Sequence, residues 1–404
     1  KQATAQGGEM TLEFLSNVEC EVVIPEDVQS WISVVPTTRA MEKQTITLKL
    51  EPNEGYYRSA TVTVQSSDGT LKLEYQVEQD GVLGVNIDPT QIPDNEIWYR
   101  TSTGRKLSTN ADICNANLVS NTYSCGVGVL RFENTILTIN SQAFTDNTLI
   151  ELYVPDCVER LSSAFLRYSR LKSFRVPKEL KYAQGKNECG PFENNTELTI
   201  LTGHHVSEDG KCLVIGTELA DFVGIDLTEY TTPHDVTIIR EYAFCENNTL
   251  EKIIISEGVQ IIEDHVFLCN TVSNRLKEVS LPKSLKQIGS HVFFGCNKIE
   301  LFSGEYDFVS NDGYSIIIDN YYQGLKGLIK YASGSSITSY NIPDGVGFLE
   351  TNAFDSANNL THIYFPSSVV LFNGQPFENS YNIQTLSGSN ILIDNKSLDR
   401  KSVV

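Results

Sequence analysis

The sequence is short of the residues that usually carry chemistry. Its 404 residues include 6 histidines, 2 methionines and 2 tryptophans. The 9 cysteines contain no Cys-x-x-Cys pair or other metal-like spacing. The chain is long enough to bury a core without disulfides, so most of these cysteines are expected to be free, buried thiols. Basic residues are the scarcer sign, 31 against 51 acidic, for a net charge of −20. Lys1 to Gly81 holds −7 of that and the rest −13, so the acidity is spread along the chain. Such a surface repels phosphate backbones, and no basic stripe offsets it, which excludes nucleic acid as a partner. No apolar run nears the roughly 20 residues of a membrane span. Gly-x-Ser-x-Gly, His-Glu-x-x-His, Gly-rich phosphate loops and paired catalytic carboxylates are all missing, so the chain reads as no enzyme and needs no cofactor. It opens on Lys1 rather than Met, so a processed chain with its export signal removed is expected.

What the chain has is repetition. With 40% hydrophobic and 9% aromatic residues it is a folded protein, long enough for two or three domains. Eight phrases share one form, pivoting on Phe144, Phe165, Phe192, Phe244, Phe267, Phe293, Phe354 and Phe377. Before each stands Ala143, Ala164, Pro191, Ala243, Val266, Val292, Ala353 or Pro376, and after each a polar stretch leads to Leu or Ile. A strand-like triplet follows, as in "LIELYVP", "LKSFRVP" and "LTHIYFP". Uninterrupted copies lie about 21 to 27 residues apart, and one such unit is too small to bury its apolar side alone. It must stack on copies of itself, its strands pairing in parallel at about 4.8 Å per step. Leu152, Phe174, Leu201, Ile253, Val279, Phe302, Ile363 and Leu386 are expected to form one inward row and the Phe rings a second.

Two intervals, about 204–235 and 305–345, break the rhythm. Each carries Asp-Gly between apolar runs (Asp209-Gly210, Asp312-Gly313) and returns through "Y…P…V", so both are expected to be β-hairpin inserts. No spaced set of oxygen ligands follows either turn, which argues against calcium. Residues 1–81 lack the repeat and alternate as short strands, "TITLKLE", "SATVTVQ" and "LKLEYQVEQ", the pattern of a small β-sandwich. Trp31 is expected in its core, and Tyr56 and Tyr57 in a turn where at most one of them is exposed.

The unit "IREYAFCENNTLEKIIISEGV" resembles the BspA-like (Treponema-type) leucine-rich repeat, and the resemblance extends over about 83–398. The chain departs from that pattern at Pro191, Pro376, Val266 and Val292. "GGEMTLEFLSN", "SWISVVP", "YYRSATVTV" and "YQVEQDG" resemble the BACON domain, with Cys20 where that family usually carries a Trp. The expected organisation is mainly β: an immunoglobulin-like β-sandwich at 1–81, a flank capping the solenoid at 82–135, and a leucine-rich-repeat solenoid with hairpin inserts at 136–404.

The resemblance implies a bacterial protein at the cell surface, anchored to the outer membrane, or secreted, acting as a monomer that adheres to host or matrix protein or to glycan. The outward positions of the repeat strands would form columns across one broad face. Tyr153, Arg175, His362 and Tyr364 are the candidate contacts there, being aromatics beside Arg or His. The alternative is capture of mucin-type glycan by the sandwich, through Tyr56 or Tyr57, with the solenoid as scaffold. His265 and His291 each lie two residues before a pivotal Phe and are expected to stack between coils; Tyr242 and Asn352 at the same position in other coils argue against a metal site there.

Overall fold

The computed structural model describes residues 1–14, 20–35, 44–55, 57–70, 72–81, 86–108, 112–183, 190–193, 195, 197–269, 274–304 and 308–388. Two compact units emerge: Lys1–Ser108 with Leu118–Glu133 and Thr148–Pro155, and Thr109–Asn117 with Asn134–Asn147 and Asp156–Val404.

The first unit begins with two facing sheets. One orders Gln2–Ala3, Lys72–Gln79, Arg58–Ser66 and Cys20–Val23; the other orders Gly8–Phe14, Gln44–Leu50 and Ile32–Val35. Period-two alternation puts Leu12, Leu48, Leu50, Val62 and Val77 into the shared core. Trp31 joins them at 6% exposure, with the Arg58 guanidinium 4.3 Å from its ring centroid. Leu73, which the alternation of "LKLEYQVEQ" puts on the same face as Val77, is exposed. The same unit holds a second antiparallel sheet in the order Leu149–Tyr153, Glu96–Thr101, Val127–Phe132, Leu118–Ser124. Leu149–Tyr153, read as the first strand of the parallel stack, thus pairs antiparallel with Glu96–Thr101.

The second unit is a solenoid. Its coils contribute short parallel strands to two sets of sheets, with the pivotal Phe rings between them. All eight rings are at most 5% exposed, and the inward row from Phe174 onward is buried apart from half-buried Leu386. A backbone bond runs from ring to ring. Phe244 N–H donates to the Val266 carbonyl at 2.9 Å, Phe267 to Val292 at 2.9 Å, and Phe354 to Pro376 at 2.7 Å. In these coils the residue before the ring offers its carbonyl to the coil before it, whereas Phe144 N–H donates to the carbonyl of Phe165 itself at 2.8 Å. Proline keeps that carbonyl, which is why Pro376 is tolerated. The chain turns sharply on both sides of the ring. Tyr242, His265 and Asn352, two residues before it, and Glu246, Ser356 and Asn379, two after, all have φ between 55° and 62°. Gly295 takes the later position in its coil at φ 77°, and a Cβ there would stand 1.7 Å from the Cys269 carbonyl oxygen.

The two inserts hide coils of their own. In each, a hairpin (Cys212–Ile215 with Glu218–Phe222; Ser315–Tyr322 with Leu325–Tyr331) ends on an aromatic residue that enters the ladder. Phe222 packs on Phe244 at 4.7 Å and Tyr331 on Phe354 at 5.1 Å. Tyr331 N–H also donates to the Ala353 carbonyl at 2.7 Å, as a ladder Phe would. Tyr230 and Tyr340 then fill the inward row, in register with Ile253 and Ile363. The expected Asp-Gly turns lie just upstream, closed by Val206 bridging Leu213 and Val309 bridging Ile316. Their Gly210 and Gly313 carbonyls accept Leu201 and Phe302 N–H at 2.7 and 2.9 Å, which pins each turn to the preceding strand. The long hairpins themselves reverse at Gly216-Thr217 and Gln323-Gly324.

Where the first insert begins, a side chain takes over a backbone role. Phe192 N–H donates not to a carbonyl but to Asp221 Oδ2 at 3.0 Å, while Asp221 Oδ1 accepts Phe222 N–H at 2.8 Å. Asp221 immediately precedes the Phe222 ring, so its carboxylate stands where the ladder elsewhere offers a peptide oxygen.

The eight described cysteines are all free, four of them buried. Burial pushes the Cys296 thiol up to about 12 and raises Cys212 as well. Cys212 and Cys296 are thus expected to resist maleimide in the native protein and to react once it is unfolded. Rapid native labelling of both, or a disulfide in the intact mass, would contradict this packing.

Candidate recognition face

The outer strands of the solenoid fall into three parallel sheets among the described residues. Ser173–Val176 pairs with Ile200–Gly203; Glu229–Thr231, Lys252–Ile254, Glu278–Ser280 and Leu301–Ser303 form the second; Ser339–Asn341, His362–Phe365 and Thr385–Gly388 form the third. Register holds within each, so side chains two apart on a strand share a face and neighbouring strands line them into columns.

The columns differ in how much of their chemistry is already used. In the first sheet Arg175 grips Asp156 with two bonds of 2.7 and 3.0 Å, and holds that carboxyl below the usual range. The guanidinium is mostly covered, at 17% exposure. In the second sheet Lys252 pairs with Glu278 at 3.0 Å and Lys277 with Glu251 at 2.9 Å, leaving Ile254 and Leu301 as its exposed apolar residues.

The third sheet is different. Ser339, His362 and Thr385 stand side by side in one column, and Asn341, Tyr364 and Ser387 in the next. All six are exposed, Tyr364 at 46%. The polar contact made by these side chains among the described residues is His362 Nδ1 to Thr361 Oγ1 at 2.8 Å. The buried residues Tyr340, Ile363 and Phe365 hold the sheet rigid from beneath. The result is one aromatic ring flanked by an amide, an imidazole and hydroxyls, all turned outward.

The other sequence candidates sit elsewhere. Tyr153 belongs to the first unit, where its hydroxyl donates to Glu151 at 2.8 Å; burial, then this carboxylate, raises its pKa. Tyr57 is half-buried, its pKa raised by burial and then by Glu78. Tyr56 lies outside the described residues. His265 and His291 do stack, at 5.2 Å and 6°, with Tyr242 on the far side of His265 at 5.3 Å. His265 Nδ1 lies 3.3 Å from Glu241, and no metal-holding cluster occurs among the described residues. No described helix is long and apolar enough to cross a membrane.

Sequence reasoning missed Ser339 and Asn341, because their coil is hidden in the second insert. The signal was available: Tyr340 lies about 23 residues before Ile363, one repeat period.

Comparison with known proteins adds two family matches. Residues 121–203, 217–311 and 327–400, well over half the chain, match the BspA type leucine-rich repeat region in six copies. Residues 22–80 match BACON, described as an N-terminal binding domain. Among solved structures, a leucine-rich cell surface protein from Faecalibacterium prausnitzii A2-165 is 19% identical, with 72% of this chain and 76% of that one covered at a TM-score of 0.43. The pneumococcal vaccine antigen PcpA is 18% identical, covering 63% of this chain and 56% of its own at 0.36. A leucine-rich repeat protein from Eubacterium ventriosum ATCC 27560 is 19% identical, covering 58% and 61% at 0.38. No curated protein matches the chain.

Proposed function

The chain belongs to the BspA-type leucine-rich repeat family with a BACON domain at its front, and on that premise we propose that it is a non-enzymatic bacterial surface or secreted binding protein that holds host or matrix protein, or glycan, on the strand face of its solenoid. The observation that carries this reading is the third outer sheet. Six exposed side chains from three coils line up there, and their polar groups are almost wholly unspent among the described residues. A partner laid across the sheet touches several coils at once, with Tyr364 as the aromatic anchor and His362, Asn341, Ser339, Thr385 and Ser387 as polar contacts. Arg175 and Tyr153 have their polar groups engaged inside the chain, so they contribute less than their residue types suggest.

The test is a binding screen against glycan and matrix-protein arrays, followed by Tyr364→Ala and His362→Ala on whichever ligand is captured. Tyr364→Ala is expected to cost about 2 kcal/mol of binding while leaving the unfolding transition unchanged. If both variants bind as the parent does, and Tyr57→Ala abolishes capture, recognition belongs to the front sandwich instead.

A further inference from the structure

The two inserts are built alike but differ in the residue that precedes the ladder ring. The ladder ring of the first, Phe222, is preceded by Asp221; that of the second, Tyr331, is preceded by Lys330. At the first junction the Asp221 carboxylate accepts the Phe192 amide. At the second, the corresponding amide belongs to Phe293, and Lys330 has no side-chain oxygen to offer it. Among the described residues Phe293 N–H finds no acceptor.

A cavity of about 10 Å³ lies at this junction, room for one water-sized occupant. Ser290, His291, Phe293, Lys330, Thr351 and Asn352 contribute to its wall, and among the described residues no carboxylate does. Lys330 is only 4% exposed, and among the described residues its ammonium has no hydrogen-bond or ion-pair partner. Burial draws its pKa down; the Asp355 carboxylate opposes this by its charge. The Asp355 Oδ1 is already bonded to Asn379 at 3.0 Å and Ser356 at 3.2 Å. The Thr351 hydroxyl is without a partner among the described residues. The Ser290 hydroxyl is engaged by Asp264 at 3.1 Å and His291 at 2.9 Å.

We propose that this cavity binds one small monovalent anion of the halide class, held between the Lys330 ammonium, the Phe293 amide and the Thr351 hydroxyl. Such an ion does from outside what Asp221 does from within the chain, accepting the amide that the hairpin has separated from its usual carbonyl. It also sets a counter-charge in direct contact with the Lys330 ammonium, which a water molecule cannot do. The space at the junction is about that of one water, which favours a single-atom ion.

The experiment compares thermal unfolding in sodium chloride, sodium bromide and sodium gluconate at equal ionic strength, for the parent chain, Lys330→Met and Lys330→Asp. The parent Tm is expected to rise by a few degrees in chloride or bromide over gluconate, and to saturate as a single site fills. Lys330→Asp, which installs the arrangement of the first insert, should lose that dependence, as should Lys330→Met. Crystals of the parent grown with bromide should show one anomalous scatterer beside Lys330. The proposal is overturned if the parent Tm is indifferent to the anion, if all three proteins respond alike, or if the cavity holds water without anomalous signal. Should a Lys330 variant fail to fold, the bromide crystal of the parent decides.

Discussion

Replacing Phe267 by alanine is expected to destabilise the solenoid by about 3 to 5 kcal/mol, the range for removing a fully packed aromatic ring. Phe267 is 4% exposed and stacked between Phe244 at 5.1 Å and Phe293 at 5.3 Å, the latter pair within 9° of parallel. Removing the ring leaves a hole in the middle of a column and strips one face of contact from each neighbour. Collapse is hindered, because the backbone on both sides is tied to the next coil by the Phe244–Val266 and Phe267–Val292 bonds. Since stability in a stack is largely a sum over neighbouring coils, the loss should separate the unfolding of the two halves as well as lower the midpoint. Urea unfolding followed by far-UV circular dichroism measures both. A loss below about 1 kcal/mol would mean that the ring is not a supporting rung.

The second large effect is a dependence on pH. Burial raises the Asp221 carboxyl from an ordinary 3.8 to about 7, against the opposing pull of the Phe192 and Phe222 amides. Below 3.8 both folded and unfolded chains hold the proton. Between 3.8 and 7 the folded chain keeps a proton that the unfolded chain has released, so stability falls as the pH rises. Above 7 both are ionised and the contribution is level again. The whole span corresponds to about 4 kcal/mol. Asp221→Asn cannot ionise, so subtracting its stability profile from that of the parent isolates this one group among many surface carboxylates. The difference curve should slope between pH 4 and 7 and flatten above. A flat difference throughout would show that the carboxylate is solvated after all. The asparagine keeps one acceptor for two amides, so some loss at every pH is expected as a constant offset.

Much of the architecture was legible because the repeat states the same packing requirement many times. Eight rings announced themselves through a small or β-branched residue or Pro before Phe, and all eight are buried. Phe222 and Tyr331 did not, since Asp221 and Lys330 precede them and break the local pattern. Their spacing to the next ring, about 22 and 23 residues, still kept the period. The outward columns were legible too, because strand alternation is a property of the backbone. Whether a given outward side chain is free is not. Arg175 is tied down by Asp156, 19 residues away, and only the folded neighbourhood brings them together. The left-handed backbone at Tyr242 and His265 was equally invisible, since it is uncommon for any residue but glycine. The same coil geometry that imposes it places the two rings in a stack.

The way each hairpin rejoins the ladder separates two quantities that usually grow together, the length of polypeptide and the span of the binding face. The excursions that end at Phe222 and Tyr331 add residues sideways, then return in phase, each completing one step of the stack. Chains of this design that differ by tens of residues can therefore offer faces with the same number of steps. A partner matched to that spacing would be insensitive to insertions at the hairpin tips, but would lose its footing if a single coil were deleted.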